Sequence, residues 1–581
     1  MPSIRQPSLT CSALFISLCV AGMVGCSSDP VKQQVEVTDV SHVPVLSPAP
    51  AAIISPSPVE ASSVKKRVGT SRTTKLSPAK SPQPRIQAYG GYTPFSGVSG
   101  SIRNETTRLS QNTEKYQNST VNPVKRVADE PVSTFSIDVD TGSYSNTRRM
   151  LNAGRLPPVD AVRIEEFINY FDYHYPQVNS AHPFTVNTET VDSPWQPNAK
   201  LIRIGIKAND IAYNQLPTAN LVFLVDVSGS MDSQDKLPLV KQTLRVLTEQ
   251  LRPKDKVTII TYASGEQIVL PATSGAEKQK ILNVINQLQA RGATSGEKAI
   301  QLAYQSAQST FVKDGINRIL IATDGDFNVG ITDFNTLKGM VAEKRKSGIS
   351  FTALGFGTGN YNEQLMEQLA DAGDGNYSYI DSEKEAKKVV QRQLSSTLAT
   401  VAQDVKIQME FNPATVKEYR LVGYENRMLK QEDFNNDQVD AGDIGAGHTV
   451  TAIYEIIPVG QQGWLNDSRY QKESTSTKQN KSEYGFLNLR YKKPNQSKSI
   501  LLNQPISTQS IKLNQASRDT QFAVAVASFA QQLKGGQYNG ILGWDQILKL
   551  AKANKGKDEF ELRKEFIELV GIGKSLSASK Q

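Results

Sequence analysis

Cysteine is scarce in this sequence and is confined to one end of it. The 581 residues contain three cysteines, Cys11, Cys19 and Cys26, and none follows residue 26. The rest of the chain therefore has no free thiol and can form no internal disulfide. A chain of this kind suits an oxidising compartment that is reached by export.

Three further features are missing. Beyond the N-terminal segment, no apolar run is long enough to form a transmembrane helix. There is no Walker-type G-x-x-x-x-G-K sequence, so we do not expect the chain to be an ATPase itself. The net charge of +8 is small for 581 residues. No basic stripe with interleaved aromatic residues accompanies it, so we expect no nucleic-acid partner.

The first 26 residues predict an export signal. They combine a positive charge at Arg5 with a short apolar core, CSALFISLCVAGMV. The closing MVGC resembles the lipobox of bacterial lipoproteins, which implies cleavage before Cys26 and acylation of that cysteine. Ser27 is similar to the residue found at this position in outer-membrane lipoproteins. We therefore expect residues 1–26 to be a lipoprotein signal peptide with an acylated cysteine; an ordinary signal peptide or an uncleaved anchor is the alternative.

Composition predicts how the rest of the chain is divided. Residues 27–120 are rich in Pro, Ser, Thr, Gln and Lys and lack apolar periodicity, which predicts a disordered tether. Strand-like and helical patterns over 121–218 indicate a small α+β domain. Residues 400–581 begin with strand patterns and end with helical ones, which predicts a second α+β domain of unknown function.

Residues 219–399 alternate between short apolar runs and helical patterns. The runs NLVFLVDVS, DKVTIITYA, NRILIATDG and ISFTALGFG suit strands of a parallel sheet that is buried on both faces. Helical patterns such as KLPLVKQTLRVLTEQL separate them. We therefore predict an α/β fold with a parallel-dominated, doubly wound sheet, flanked by the two smaller α+β domains.

Oxygen-bearing side chains collect where strands of this central domain end. Asp226 ends one strand, with Ser228 and Ser230 just beyond it; Asp324 ends another, and Thr294 lies in a loop before a helix. Sites in open α/β sheets form at the carboxyl ends of the strands, so we expect these residues to meet at one edge. Their oxygens favour Mg²⁺, or another divalent cation such as Ca²⁺ or Mn²⁺, over zinc or copper. An ion held with an open position would attract an external carboxylate.

The same residues resemble the metal-ion-dependent adhesion site of von Willebrand factor A (VWA) domains. The family pattern D-x-S-x-S appears as DVSGS at 226–230, and the later Thr and Asp appear as Thr294 and Asp324. The resemblance implies a Rossmann-like domain in which the serines and the threonine contact a divalent ion. The aspartates would bind that ion directly or through water, and an acidic residue of a ligand would complete its shell.

Flanking stretches extend the resemblance to about residues 120–577. VRIEEFINYFDYHYP and YRLVGYENRML are similar to the bacterial YfbK-like lipoproteins. That family places a VWA domain between a dedicated N-terminal domain and a C-terminal domain of unknown function.

Other interpretations of these motifs stay open at the level of sequence. Ser230 or Asp232 could instead cap the following helix. Asp138 and Asp140 follow a strand, as in phosphatases with a D-x-D-x-T sequence, although Thr141 comes one position early. A nucleophilic serine is disfavoured, because none of the four histidines follows in a recognisable triad order.

Taken together, the patterns predict a non-catalytic, lipid-anchored binding protein of the cell envelope. We expect it at the outer membrane facing the periplasm, with surface exposure as the alternative. Its VWA domain would use the metal to engage an acidic group on an unidentified protein partner. The alternatives are a phosphatase centred on Asp138 and Asp140, and an envelope scaffold factor with a vestigial metal site.

Overall fold

The computed structural model describes most of the chain after residue 112. The described residues are 113–118, 120–176, 181–293, 296–326, 334–393, 399–466, 480–494, 496–558 and 560–579. The predicted signal peptide with Cys26, and the tether as far as residue 112, lie outside them. Within the described part, no helix is both long and apolar enough to cross a membrane.

Strands and helices are numbered here in chain order. The strands are β1 (Lys125–Arg126), β2 (Val132–Ser136), β3 (Phe184–Asp192), β4 (Lys200–Ala208), β5 (Ala219–Asp226), β6 (Lys256–Tyr262), β7 (Glu266–Ser274), β8 (Ile316–Thr323), β9 (Ser350–Phe356), β10 (Tyr377–Ile380), β11 (Thr400–Phe411), β12 (Val416–Val422), β13 (Met428–Leu429), β14 (Ile444–Gly445), β15 (Thr449–Pro458), β16 (Glu483–Lys492) and β17 (Ser499–Ser507). The helices are α1 (Gly142–Asn152), α2 (Ile164–Asn169), α3 (Leu237–Gln250), α4 (Lys278–Gln287), α5 (Glu297–Ser309), α6 (Phe334–Lys344), α7 (Glu363–Ala372), α8 (Glu383–Lys388), α9 (Arg518–Leu533), α10 (Trp544–Ala553) and α11 (Leu562–Ala578).

The central part of the chain forms a six-stranded sheet in the order β10-β9-β8-β5-β6-β7. The first five strands run parallel, and β7 pairs antiparallel with β6 at one edge. Side chains of β5 alternate between the two faces: Leu221 and Phe223 pack into one core, and Val222 and Leu224 into the other. Burial on both faces explains the continuous apolar runs, and the predicted α/β doubly wound fold is confirmed.

The two flanking segments share their sheets. In one antiparallel sheet, β1, β3 and β4 of the N-terminal flank lie beside β12 and β15 of the C-terminal flank, in the order β1-β12-β15-β4-β3. In the other, β2 lies between β13 and β11, in the order β13-β2-β11-β16-β17, with β14 also paired to β11. Residues from both sheets, such as Ile204 and Ile407, pack into one core. We expected two separate α+β domains; the strands instead complete each other's hydrogen bonding, so the two flanks build one structure.

Helices from both flanks also pack together. Phe171, just after α2, makes edge-to-face contacts with Phe522 of α9 and Phe566 of α11, at centroid distances of 5.2 and 5.5 Å. Tyr144 of α1 joins the same aromatic cluster. The stretch VRIEEFINYFDYHYP therefore contributes mostly core aromatic side chains, and α2 itself is short.

The last residues of the predicted tether belong to the folded part. The Thr113 amide donates to the Gly359 carbonyl (2.7 Å), and the Lys115 amide donates to the Tyr361 carbonyl (2.9 Å). Between them, Glu114 pairs with Arg149 of α1 at 3.0 Å. Residues 113–115 therefore hydrogen-bond to the loop after β9, within the segment that composition assigns to the tether.

Candidate metal site

Asp226 lies at the end of β5 and is fully buried. Its Oδ1 accepts a hydrogen bond from the Ser228 amide (2.9 Å), and its Oδ2 accepts one from the Thr323 hydroxyl (2.8 Å). Burial raises the pKa of Asp226 to about 6; the negative charge of Asp324 acts in the same direction, and the two hydrogen bonds oppose it. The ionised form of Asp226 is therefore disfavoured in the metal-free protein.

The two serines of the DVSGS motif lie in the turn that follows. The Ser228 hydroxyl is 3.0 Å from the Ser230 hydroxyl, with Ser228 buried and Ser230 exposed. Helix α3 begins only at Leu237, after Lys236, and its start has no side-chain cap. The alternative that Ser230 or Asp232 caps this helix is therefore wrong, and the two hydroxyls remain beside the carboxylate.

Asp324 follows β8, the strand next to β5, and is also fully buried. Its Oδ1 accepts a hydrogen bond from the Asp326 amide (3.1 Å). Its Oδ2 accepts one from the Lys236 ammonium (2.9 Å) and one from the Asn360 side-chain amide (3.1 Å). The structure thus brings Asp226 and Asp324 to the ends of neighbouring parallel strands.

Thr294 lies outside the described residues, so its role stays a prediction. The residues just before it are described. The Gly229 amide donates to the Gly292 carbonyl (2.8 Å), and the Arg291 amide donates to the Val227 carbonyl (2.7 Å). The loop that leads to Thr294 therefore runs along the serine turn.

Three residues that touch this site were missed by the sequence analysis. Thr323 precedes Asp324 and bonds Asp226; Lys236 and Asn360 bond Asp324 from the start of α3 and from the loop after β9. A sequence signal existed for Thr323, at the end of β8, and for Lys236, at the start of α3, whereas Asn360 lies in a loop. Their contacts, however, join segments that are far apart in the chain.

The side chains present fit a hard divalent cation. Two buried carboxylates and two hydroxyls supply only oxygen ligands, which Mg²⁺ prefers. Within the described ranges, no group of three or more Cys, His, Asp or Glu side chains is placed to hold a metal. A cation here would therefore depend on the hydroxyl oxygens as well as on Asp226 and Asp324.

Asp138 and Asp140 are bound by internal partners. Arg427 contacts one oxygen of each carboxylate at 3.1 Å, and the second oxygen of Asp140 accepts the Tyr377 amide (2.8 Å). Both aspartates are buried, and burial together with the charge of Asp138 raises the pKa of Asp140. This arrangement joins the N-terminal flank to the turn after β12 and to β10, and nothing in it favours a phosphatase.

Comparison with known proteins identifies the family. The von Willebrand factor type A domain model matches residues 220–392, a von Willebrand factor model matches 110–203, and the model for the C-terminal part of the uncharacterized protein YfbK matches 396–576. The chain is 44% identical over 477 residues to the uncharacterized protein YfbK of Escherichia coli (strain K12), which covers 81% of this chain and 82% of that protein. The chain belongs to the YfbK family of VWA-domain proteins. The predicted membership of the VWA and YfbK-like families is thereby confirmed.

Two further proteins are more distantly similar to this YfbK-family protein. The uncharacterized protein sll0103 of Synechocystis is 27% identical over 216 residues, which is 37% of this chain and 50% of that protein. A solved structure, a von Willebrand factor type A protein from Catenulispora acidiphila, is 15% identical with a TM-score of 0.36, covering 68% of this chain and 92% of that one. VWA domains generally serve as interaction modules, so the family assignment points to protein–protein interaction.

Proposed function

We propose that this protein is a lipoprotein of the cell envelope whose VWA domain binds a divalent cation, Mg²⁺ in the first place, and through it an acidic group of a protein partner. The observation that carries the proposal is the meeting of Asp226 and Asp324 at adjacent strand ends, beside the paired hydroxyls of Ser228 and Ser230. Thr294 would be the fifth ligand. When bound, the cation would supply an open coordination position for a carboxylate.

The chain's own residues hold this ligand set in place before any cation arrives. Thr323 and the Ser228 amide fix the two oxygens of Asp226, so that side chain loses little freedom on binding. Burial of both carboxylates strengthens their attraction for a cation, because the low local dielectric screens charge poorly. Ser230 is exposed, which leaves the site open to a partner on that side.

The lipid anchor is the second part of the proposal. It rests on the signal-like residues 1–25 and on MVGC, which ends at Cys26. Acylation would hold the protein at the outer membrane, and the Pro- and Ser-rich segment would separate the folded part from it. Palmitate labelling of the full-length protein in cells tests this: we expect label in the wild type and none in Cys26→Ala. Equal labelling of the two would contradict the anchor.

Metal-dependent capture tests the binding function. The purified full-length protein is incubated with solubilised envelope proteins in Mg²⁺ or in EDTA, and the retained proteins are compared. We expect a partner that is retained in Mg²⁺, lost in EDTA and lost with Ser228→Ala, while Asp232→Ala, a change of an exposed neighbour, retains it. Capture that survives both EDTA and Ser228→Ala would overturn the proposal and favour a scaffold with a vestigial metal site.

A further inference from the structure

Lys236 forms a buried ion pair with Asp324, the second carboxylate of the site. Its ammonium lies 2.9 Å from Asp324 Oδ2 and 2.8 Å from the Asn360 side-chain oxygen. The lysine is almost completely buried, and so is Asp324. Asn360 also donates to both Asp324 and Asp326, so one connected group of side chains surrounds the ammonium.

The stem of this lysine is held by packing. It runs across Gly357, just after β9, so closely that a Cβ at that position would lie 2.3 Å from Lys236 Cγ. Gly357 also has a φ of +82°, a backbone conformation that favours glycine. The ammonium is therefore directed at Asp324 by the fold and is not a surface lysine that happens to reach it.

A fixed positive charge beside a metal site has opposite effects on the affinity for the cation and on the affinity of the loaded site for an anionic ligand. A fixed positive charge beside a ligating carboxylate repels an incoming divalent cation and weakens its binding. The same charge leaves the loaded site more positive, which strengthens the attraction for an anionic ligand. Asp326 is partly exposed and solvent screens it more strongly. Replacement of Lys236 by a neutral residue removes one positive charge beside Asp324, independently of the charges of the neighbouring groups.

We propose that Lys236 tunes the site toward acidic partners: its ammonium on Asp324 lowers the affinity for the cation and raises the affinity of the loaded site for a carboxylate. Lys236 is thus a positioning and charge-setting residue and not itself a metal ligand. The inference rests on the proposed metal site and adds the reason why a ligand of that site would be acidic.

The test measures two affinities on the full-length protein. Mn²⁺ binding is followed by calorimetry, and acetate, as a simple carboxylate, is then titrated into the Mn²⁺-loaded protein while the relaxation of metal-bound water is recorded. For Lys236→Met, which keeps an apolar stem, we expect Mn²⁺ to bind about tenfold more tightly and acetate several-fold more weakly, in line with the loss of one nearby charge. A merely structural role would not move the two affinities in opposite directions.

Matched variants separate the possible results. Lys236→Arg keeps the charge and should retain both wild-type affinities. Lys241→Met removes a charge from the same helix, where Lys241 donates to the Asn286 carbonyl on the surface, and should change neither affinity. If Lys236→Met does not fold in EDTA, Lys236→Gln removes the same charge and repeats the test. A wild type that binds no Mn²⁺ would overturn the proposed metal site. A wild type that binds, with Mn²⁺ affinity unchanged or weaker in Lys236→Met, would overturn this inference alone.

Discussion

Replacement of Asp226 by asparagine should make the metal-free protein more stable at neutral and alkaline pH. Asp226 is fully buried, and burial raises its pKa to about 6 from an ordinary value of 3.8. The folded protein therefore holds a proton on Asp226 in a pH range where the unfolded chain has lost it. Stability from this group is greatest below pH 3.8 and falls as the pH rises to about 6.

The size of the effect follows from the two pKa values. One pKa unit corresponds to about 1.4 kcal/mol, so an ionised Asp226 costs the folded, metal-free protein about 3 kcal/mol above pH 6. Asp226→Asn avoids that cost. It also disturbs one of the hydrogen bonds from Ser228 and Thr323, which costs roughly 1 kcal/mol at any pH. The net expectation is a gain of roughly 2 kcal/mol at pH 8 and a loss of roughly 1 kcal/mol near pH 3.8.

Urea denaturation in EDTA, followed by circular dichroism, measures this difference. The quantity of interest is the free energy of unfolding of Asp226→Asn minus that of the wild type across the pH range, because titrating groups that do not interact with Asp226 cancel in the difference. We expect it to rise by about 3 kcal/mol between pH 3.8 and pH 8. A difference that does not change with pH would contradict this expectation, since it would mean that ionisation of buried Asp226 costs the metal-free folded protein no free energy.

Two further substitutions test the packing around the central sheet. Arg427→Met should lower the free energy of unfolding by roughly 3–5 kcal/mol, measured by urea denaturation at pH 7, because it leaves the buried carboxylates of Asp138 and Asp140 without their cation. Gly357→Ala should lower it by roughly 1–3 kcal/mol, because an alanine is strained at positive φ and its Cβ displaces the stem of Lys236.

Each of these substitutions has a control in the same chain. Lys346→Met removes a surface ion pair with Glu343, in which both side chains are exposed, and should have little effect. Gly359→Ala introduces a similar positive-φ strain (φ +90°) where nothing lies within 4 Å of the new Cβ, so it should destabilise less than the change at Gly357. Equal effects of a substitution and its control would contradict the assigned contacts.

The central sheet was predictable because its strands are buried on both faces. Residues such as Leu221 and Val222 pack into different cores, which forces a continuous apolar run that is visible in the sequence. The edge strand β7 was not foreseen, because much of it is exposed and it contains Pro271. The sharing of sheets by the two flanks was also missed, since pairing between strands more than 240 residues apart in the chain leaves no local signal in one sequence.

At the candidate metal site, too, features with a local sequence signal were predictable and contacts between distant segments were not. The positions of Asp226 and Ser228 could be predicted because they lie at a strand end within one short motif, and that of Asp324 because the neighbouring strand ends there. Their role as metal ligands stays a prediction. The contact between Lys236 and Asp324 was not, because it depends on how the start of α3 packs on the end of β9. Side-chain pairs of this kind are decided by tertiary packing and not by spacing in the chain.

Whether the VWA domain holds a divalent cation is measured by calorimetric titration of Mg²⁺ into the full-length protein. We expect saturable binding at a single site in the wild type. The double variant Asp226→Ala, Ser228→Ala should lose this binding while it remains folded by circular dichroism. Mg²⁺ binding that is absent from the wild type, or unchanged in the double variant, would rule out the proposed metal site.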